Sequence, residues 1–223
     1  MPPRPAVLFD LDGTLTDPYD GIARSYARAA EALGRPLPAS FDYRACIGPP
    51  IRDVFATIFG SDPAVIAAAV AAYRERYASV GLFENRVYAG IPAALARLGG
   101  TFRLFVCTTK PQPFAARILE RFDLAGAFER VYGAELDGTR DDKRALLAYL
   151  LERESLAPAT TVLIGDRRYD VAAARANGVA TAGVTWGYGS PGELRDAGCV
   201  RTFAHPDEIT ADAIDALLAS TAR

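Results

Sequence analysis

The chain has 223 residues, half of them hydrophobic, with a formal net charge of -2 and one histidine. Such a length buries one large core or two unequal ones, and a near-neutral surface without a basic run excludes nucleic acid and other charged polymers as partners. The longest apolar stretch, "AVIAAAVAAY" (64–73), is about half the ~20 residues that a membrane span needs, so no membrane association is expected. Before Asp10 the N-terminus "MPPRPAVLFD" falls short of a secretory hydrophobic region, and Cys46, Cys107 and Cys199 are odd in number, far apart and free of CxxC spacing. Both features fit a reducing, cytoplasmic location.

The first predicted strand is "AVLF" (6–9), and it runs into "DLDGTLTD". The next ninety residues read mostly as helix, in "DGIARSYARAAEALG" (20–34), "PPIRDVFATIFG" (49–60) and "DPAVIAAAVAAYRERYASVG" (62–81), with no strand signal until "LFENRVY". They are expected to form a helical domain inserted after the first strand, spanning 16–89, with hinges near Thr16–Pro18 and Ala89–Ile91. From there short apolar runs alternate with amphipathic segments. The strands are "LFVC" (104–107), "RVYG" (130–133), "TVLIG" (161–165) and "ATAGV" (180–184), and the helices "PFAARILERF" (113–122), "KRALLAYLLERE" (143–154) and "DVAAARANG" (170–178). That alternation implies βα units and a parallel sheet covered by helices, formed by 1–15 and 90–223.

In open α/β sheets ligands bind at the carboxyl ends of strands, so the residues that follow each run belong together. Asp10 and Asp12 follow the first strand, Thr108, Thr109 and Lys110 follow "LFVC", and Asp166 and Asp170 follow "TVLIG". Carboxylates gathered beside an apolar sheet repel and resist ionisation unless a cation neutralises them, which implies a hard divalent ion such as Mg²⁺. Thr108 and a lysine are donors suited to phosphoryl oxygens. As the strand ends, Asp10 can face the ligand while Asp12 turns into the loop, one carboxylate placed to attack phosphorus and the other to handle a proton. Gly13 permits the sharp exit. A calcium loop is disfavoured, because no helix precedes the motif and Gly21 stands where a bidentate Glu belongs.

Only Lys110 and Lys143 are lysines among 25 basic residues, so either a compact ammonium is required there or two chance survivors remain. "GYGSPG" (187–192) fits the G-x-G-x-x-G pattern, with Asp207 downstream, but too little chain follows to build a dinucleotide fold, and a loop near the active site is the better reading. His205 marks a turn before the last helix, and Cys107 reads as a buried strand residue with no histidine to activate it.

In this order, "DLDGTLTD", "CTTK", a downstream lysine and "GDRRYD" resemble the four motifs of the haloacid dehalogenase superfamily. The stretches "IGPPI", "ELDGTRDDK" and "NGVATAGVTWGYG" are similar to its phosphoglycolate phosphatase-like and 5'-nucleotidase-like members. The resemblance covers nearly the whole chain. It implies an α/β, Rossmann-like parallel-sheet core with an inserted helical C1-type cap, and a phosphatase. On it Asp10 is the nucleophile that forms an aspartyl phosphate, and Asp12 protonates the leaving alkoxide and then deprotonates water. Asp10, the Asp12 carbonyl and Asp166 hold Mg²⁺, with Asp170 orienting the cluster. Thr108 and Lys143 bind the phosphoryl oxygens, although Lys143 lacks the usual Gly-Lys-Pro context and Lys110 is its one substitute. Thr109, Lys110, Gly48 and Arg52 are further substrate-binding candidates; Arg52 meets a second anionic group or is simply an exposed helix residue.

The expected substrate is a small phosphorylated metabolite, phosphoglycolate first and a nucleoside monophosphate as the alternative, handled by a monomer or homodimer. A dehalogenase has no use for Asp12 or a metal cluster, and a phosphonate-cleaving relative needs a cap lysine that 16–89 lacks. A sugar phosphomutase shares the core. A receiver-like phospho-acceptor domain is the rival from another class, but it needs neither the inserted helical domain nor an Asp12 to activate water.

Overall fold

The computed structural model describes residues 4–221. Two compact units divide the chain, one made of 1–17 and 87–223 and the other of Pro18–Arg86.

The first unit is built on a six-stranded sheet. Its strands are β1 (Ala6–Phe9), β4 (Arg103–Pro111), β5 (Arg130–Ala134), β6 (Thr161–Gly165), β7 (Ala180–Val184) and β8 (Thr202–Phe203), in the order β5-β4-β1-β6-β7-β8, each pair parallel. Two short strands, β2 (Thr16–Asp17) and β3 (Arg86–Val87), form a separate two-stranded sheet where the chain passes between units. Helices α4 (Ile91–Gly99), α5 (Gln112–Arg121), α6 (Lys143–Glu154), α7 (Arg168–Ala176), α8 (Pro191–Asp196) and α9 (Ala211–Thr221) complete the unit. Strand β1 lies in the interior of the sheet, and Val7, Leu8 and Phe9 are wholly buried. A strand covered on both faces reads as a continuous apolar run, which is why "AVLF" shows no alternation. Leu8, Phe105 and Leu163 from the sheet pack with Leu146, Leu147 and Leu150 of α6 and with Ala173 and Ala174 of α7.

The second unit holds α1 (Tyr19–Ala32), α2 (Ile51–Phe59) and α3 (Pro63–Ser79). Tyr26, Phe55 and Tyr73 meet in its centre, with Tyr26 at 4.9 Å from each of the other two rings. Glu84 is held by Arg24 at 2.7 Å and Arg76 at 2.8 Å. No helix among the described residues is long and apolar enough to cross a membrane.

Two features of the sheet depart from the sequence expectations. Strand β4 runs to Pro111, four residues past "LFVC", because the chain stays extended through an irregularity. Strand β8, two residues at the sheet edge, carries no periodicity by which it could be recognised.

Candidate active site

At the end of β1 the Asp10 N–H donates to Ile164 O at 2.9 Å, which ties the nucleophile candidate to β6. The chain then turns tightly. Gly13 has φ +83°, the left-handed region open to glycine, and its N–H donates to Thr16 O at 2.8 Å. The N–H groups of Thr14, Leu15 and Thr16 all point to Leu11 O, at 3.3, 2.9 and 3.0 Å. This turn carries Asp12 away from the strand axis, as "DLDGTLTD" suggests.

Asp10, Asp166 and Asp170 are all buried, and one carboxylate oxygen from each lies within 4.8 Å of the others. Lys143, also buried, opens α6, whose N-cap Asp142 accepts the Arg144 N–H at 2.8 Å. Its Nζ sits 2.9 Å from Asp10 Oδ1 and forms an ion pair with Asp170 Oδ1. The other Asp170 oxygen accepts the Arg167 N–H at 3.0 Å, so Asp170 both caps α7 and faces the cluster. Gly165 leaves room for it, since a Cβ there would overlap the Asp170 carboxyl group.

Charge in this cluster does not balance. Burial, then Asp170 and Asp10, push the Asp166 carboxyl up to about 8. Asp170 is also raised by burial, with Lys143 opposing. Burial works against the Lys143 charge, yet Asp10 and Asp170 together hold its ammonium above the ordinary range. Three carboxylates around one ammonium therefore leave a deficit of positive charge, and these all-oxygen donors fit a hard divalent cation of the Mg²⁺ kind.

Strand β4 delivers the remaining groups. Thr108 pairs with Gly133 and Pro111 with Ala134, so β4 inserts extra residues against β5 at a bulge. Thr108 and Lys110 are buried there, Thr109 is half-buried, and the Lys110 N–H donates to Thr108 Oγ1 at 3.3 Å. The two lysines are not interchangeable. Lys110 Nζ forms an ion pair with Asp12 Oδ2, whereas Lys143 faces Asp10 and Asp170. Burial raises the Asp12 carboxyl and Lys110 opposes that rise.

The structure also gives "GYGSPG" a place. Gly187 and Gly189 wrap Asp166 so closely that a Cβ at the first would overlap the Asp166 side chain and at the second its carbonyl oxygen. Tyr188 N–H donates to Asp166 Oδ2 at 2.7 Å, the Tyr188 hydroxyl hydrogen-bonds Asp17, and Trp186 Nε1–H donates to Thr14 O at 3.0 Å. Two glycines two apart in a segment following a strand were the available sign of such a close approach. Asp207 and His205 are exposed in the turn before α9, and Cys107 is fully buried, its thiol pushed up to about 12 by burial first. Gly48 (φ +106°) is half-buried and Arg52 exposed, both in the second unit, where burial first and Arg52 second act against the charge of Arg74.

The haloacid dehalogenase-like hydrolase family matches residues 7–184. A 5'-nucleotidase of Pseudomonas aeruginosa is 46% identical over 86% of this chain and 87% of its own length. The tyrosine-protein kinase PtkA of Mycobacterium tuberculosis is 39% identical over 82% of this chain but only 62% of its own length. A phosphoglycolate phosphatase of Vibrio cholerae is 28% identical over 82% of this chain and 84% of its own. The crystal structure of a predicted phosphatase from Clostridium acetobutylicum superposes with a TM-score of 0.90 at 35% identity, covering 95% of this chain and 99% of that one. The chain belongs to the haloacid dehalogenase-like hydrolase family, and within it to the phosphatases.

Proposed function

We propose that the protein hydrolyses a small phosphomonoester through an aspartyl phosphate on Asp10, with a nucleoside 5'-monophosphate as the first substrate class. The observation that carries the reaction is the gathering of Asp10 with Lys143, Asp166 and Asp170 in one buried cluster, with Asp12 on the adjoining turn. The higher identity of the 5'-nucleotidase relative, 46% against 28% for the phosphoglycolate phosphatase, puts nucleotides ahead of phosphoglycolate.

The Asp10 carboxylate attacks phosphorus as the ester P–O bond breaks, and Asp12 gives its proton to the departing alkoxide. Asp12, now a carboxylate, takes a proton from water; the hydroxide attacks the acyl phosphate, releasing inorganic phosphate and restoring Asp10. Thr108 Oγ1–H and the Lys143 ammonium hydrogen-bond the phosphoryl oxygens and stabilise the charge they gain. Asp10, Asp166 and the Asp12 carbonyl would hold Mg²⁺, with Asp170, paired to Lys143, orienting the group. When bound, the ion shields the attacking carboxylate from the phosphate charge and polarises the phosphoryl group.

A panel of nucleoside monophosphates, phosphoglycolate and sugar phosphates, read as phosphate release with Mg²⁺ or chelator, tests this reading. Selective metal-dependent turnover is the expected result, and silence toward every ester overturns it. The PtkA likeness supports a second reading, transfer to a tyrosine in place of water. A nucleoside triphosphate with a tyrosine peptide belongs in the same panel for that reason.

A further inference from the structure

We propose that Lys110 is a positioning residue that clamps one oxygen of Asp12, so that the other, Oδ1, is the single oxygen through which Asp12 gives and takes its proton. Lys110 Nζ forms its ion pair with Asp12 Oδ2, and both side chains are withdrawn from solvent, at 6% and 15% exposure. Asp12 Oδ1 is buried and has no hydrogen-bond partner among the described residues. A buried acceptor without a donor is costly, and the oxygen left unpaired is the one that can carry the proton given to the alkoxide and later taken from water. One carboxylate therefore has an occupied side and an open side.

The backbone shows how this is arranged. A bulge in β4 between Thr108 and Pro111 moves Lys110 off the regular ladder, and Thr108 Oγ1 accepts the Lys110 N–H at 3.3 Å to hold it there. Opposite, a Cβ on Gly133 would lie 2.5 Å from the Lys110 carbonyl oxygen and 2.8 Å from Gln112 Cα, so β5 needs glycine at that position for the bulge to approach. Lys110 is thereby held against Asp12, while Lys143 pairs with the nucleophile candidate Asp10.

This inference rests on the two-step reaction proposed above, and its test separates the two. Phosphorylation of Asp10 by 4-nitrophenyl phosphate, whose leaving group departs without a proton, should bypass the clamp, whereas phosphorylation by an alkyl ester such as a nucleoside 5'-monophosphate should require it. Rapid-quench kinetics on Lys110→Met should therefore keep a nitrophenolate burst, accumulate phosphoenzyme, and lose alkyl-ester phosphorylation by about 10- to 100-fold. Asp12→Asn should give the same pattern, and the double variant should be no worse than Asp12→Asn alone. Lys110→Arg keeps the cation and should recover part of the alkyl-ester rate, which a role in folding alone would not predict. An equal rise in KM for both ester classes without phosphoenzyme build-up would overturn the proposal and place Lys110 on the substrate phosphate. So would full additivity in the double variant. If the wild type itself forms no phosphoenzyme, or Asp10→Asn retains activity, the reaction scheme has failed and not the clamp.

Discussion

Asp166 is the residue on which the cluster turns, because it is buried and packed by glycines on several sides. Gly13, Gly187 and Gly189 each approach it where a Cβ would collide. Gly187→Ala should push the Asp166 side chain and weaken the binding of a divalent cation by about 10- to 100-fold, the usual cost of disturbing the groups that orient a ligand. Isothermal titration with Mg²⁺ or Mn²⁺ reads this directly, and unchanged affinity would show that the loop does not position Asp166. At the nucleophile, Asp10→Asn should lower turnover by at least about a thousandfold while leaving the fold intact, since an amide cannot attack phosphorus. Steady-state kinetics beside circular dichroism check both halves of that statement.

Each element positions its residue by local rules. Helix α6 begins at Lys143 because the Asp142 side chain accepts the Arg144 N–H at 2.8 Å. Asp142→Ala should cost about 1 kcal/mol in denaturant unfolding, a typical cap loss, and should reduce activity further by loosening Lys143. Lys143 lies in "TRDDKR", directly after that capping aspartate. The strands β1 and β6 and the helix α6 lie where the apolar runs and periodicity put them, since burial on both faces or on one stripe writes itself into consecutive residues. The carboxylates at the strand ends were legible for the same reason. The partition of the two lysines was not, because it depends on a bulge opposite Gly133, a residue 23 positions from Lys110 in sequence and adjacent only in the sheet. The Gly187 and Gly189 contacts with Asp166 were legible only in part, because the glycine spacing that marks a close approach near the site coincides with a dinucleotide pattern.

For the whole molecule, the cluster makes stability depend on pH and on metal together. Asp166 titrates at about 8 in the folded chain against 3.8 as its ordinary value, so the folded state keeps a proton that the unfolded chain gives up. Its stabilising effect is therefore full below about pH 4 and declines as pH rises toward 8, by up to about 1.4 kcal/mol per pH unit. In chelator the melting temperature of the wild type should fall between pH 5 and pH 8 relative to Asp166→Asn, which has no such proton. Added Mg²⁺ should offset the decline, by about 2.7 kcal/mol at a hundred times its Kd, and more effectively at pH 8 than at pH 6 because it competes with that proton. Parallel pH profiles for the two proteins would contradict this account of the cluster.

The most direct measurement on the central claim is to quench the protein during turnover of a phosphate ester, reduce it with borohydride and map the reduced residue by mass spectrometry. The account predicts homoserine at position 10, formed from an aspartyl phosphate, only when substrate and Mg²⁺ are both present. Phosphate release without any modification at Asp10, or modification at another residue, would contradict it.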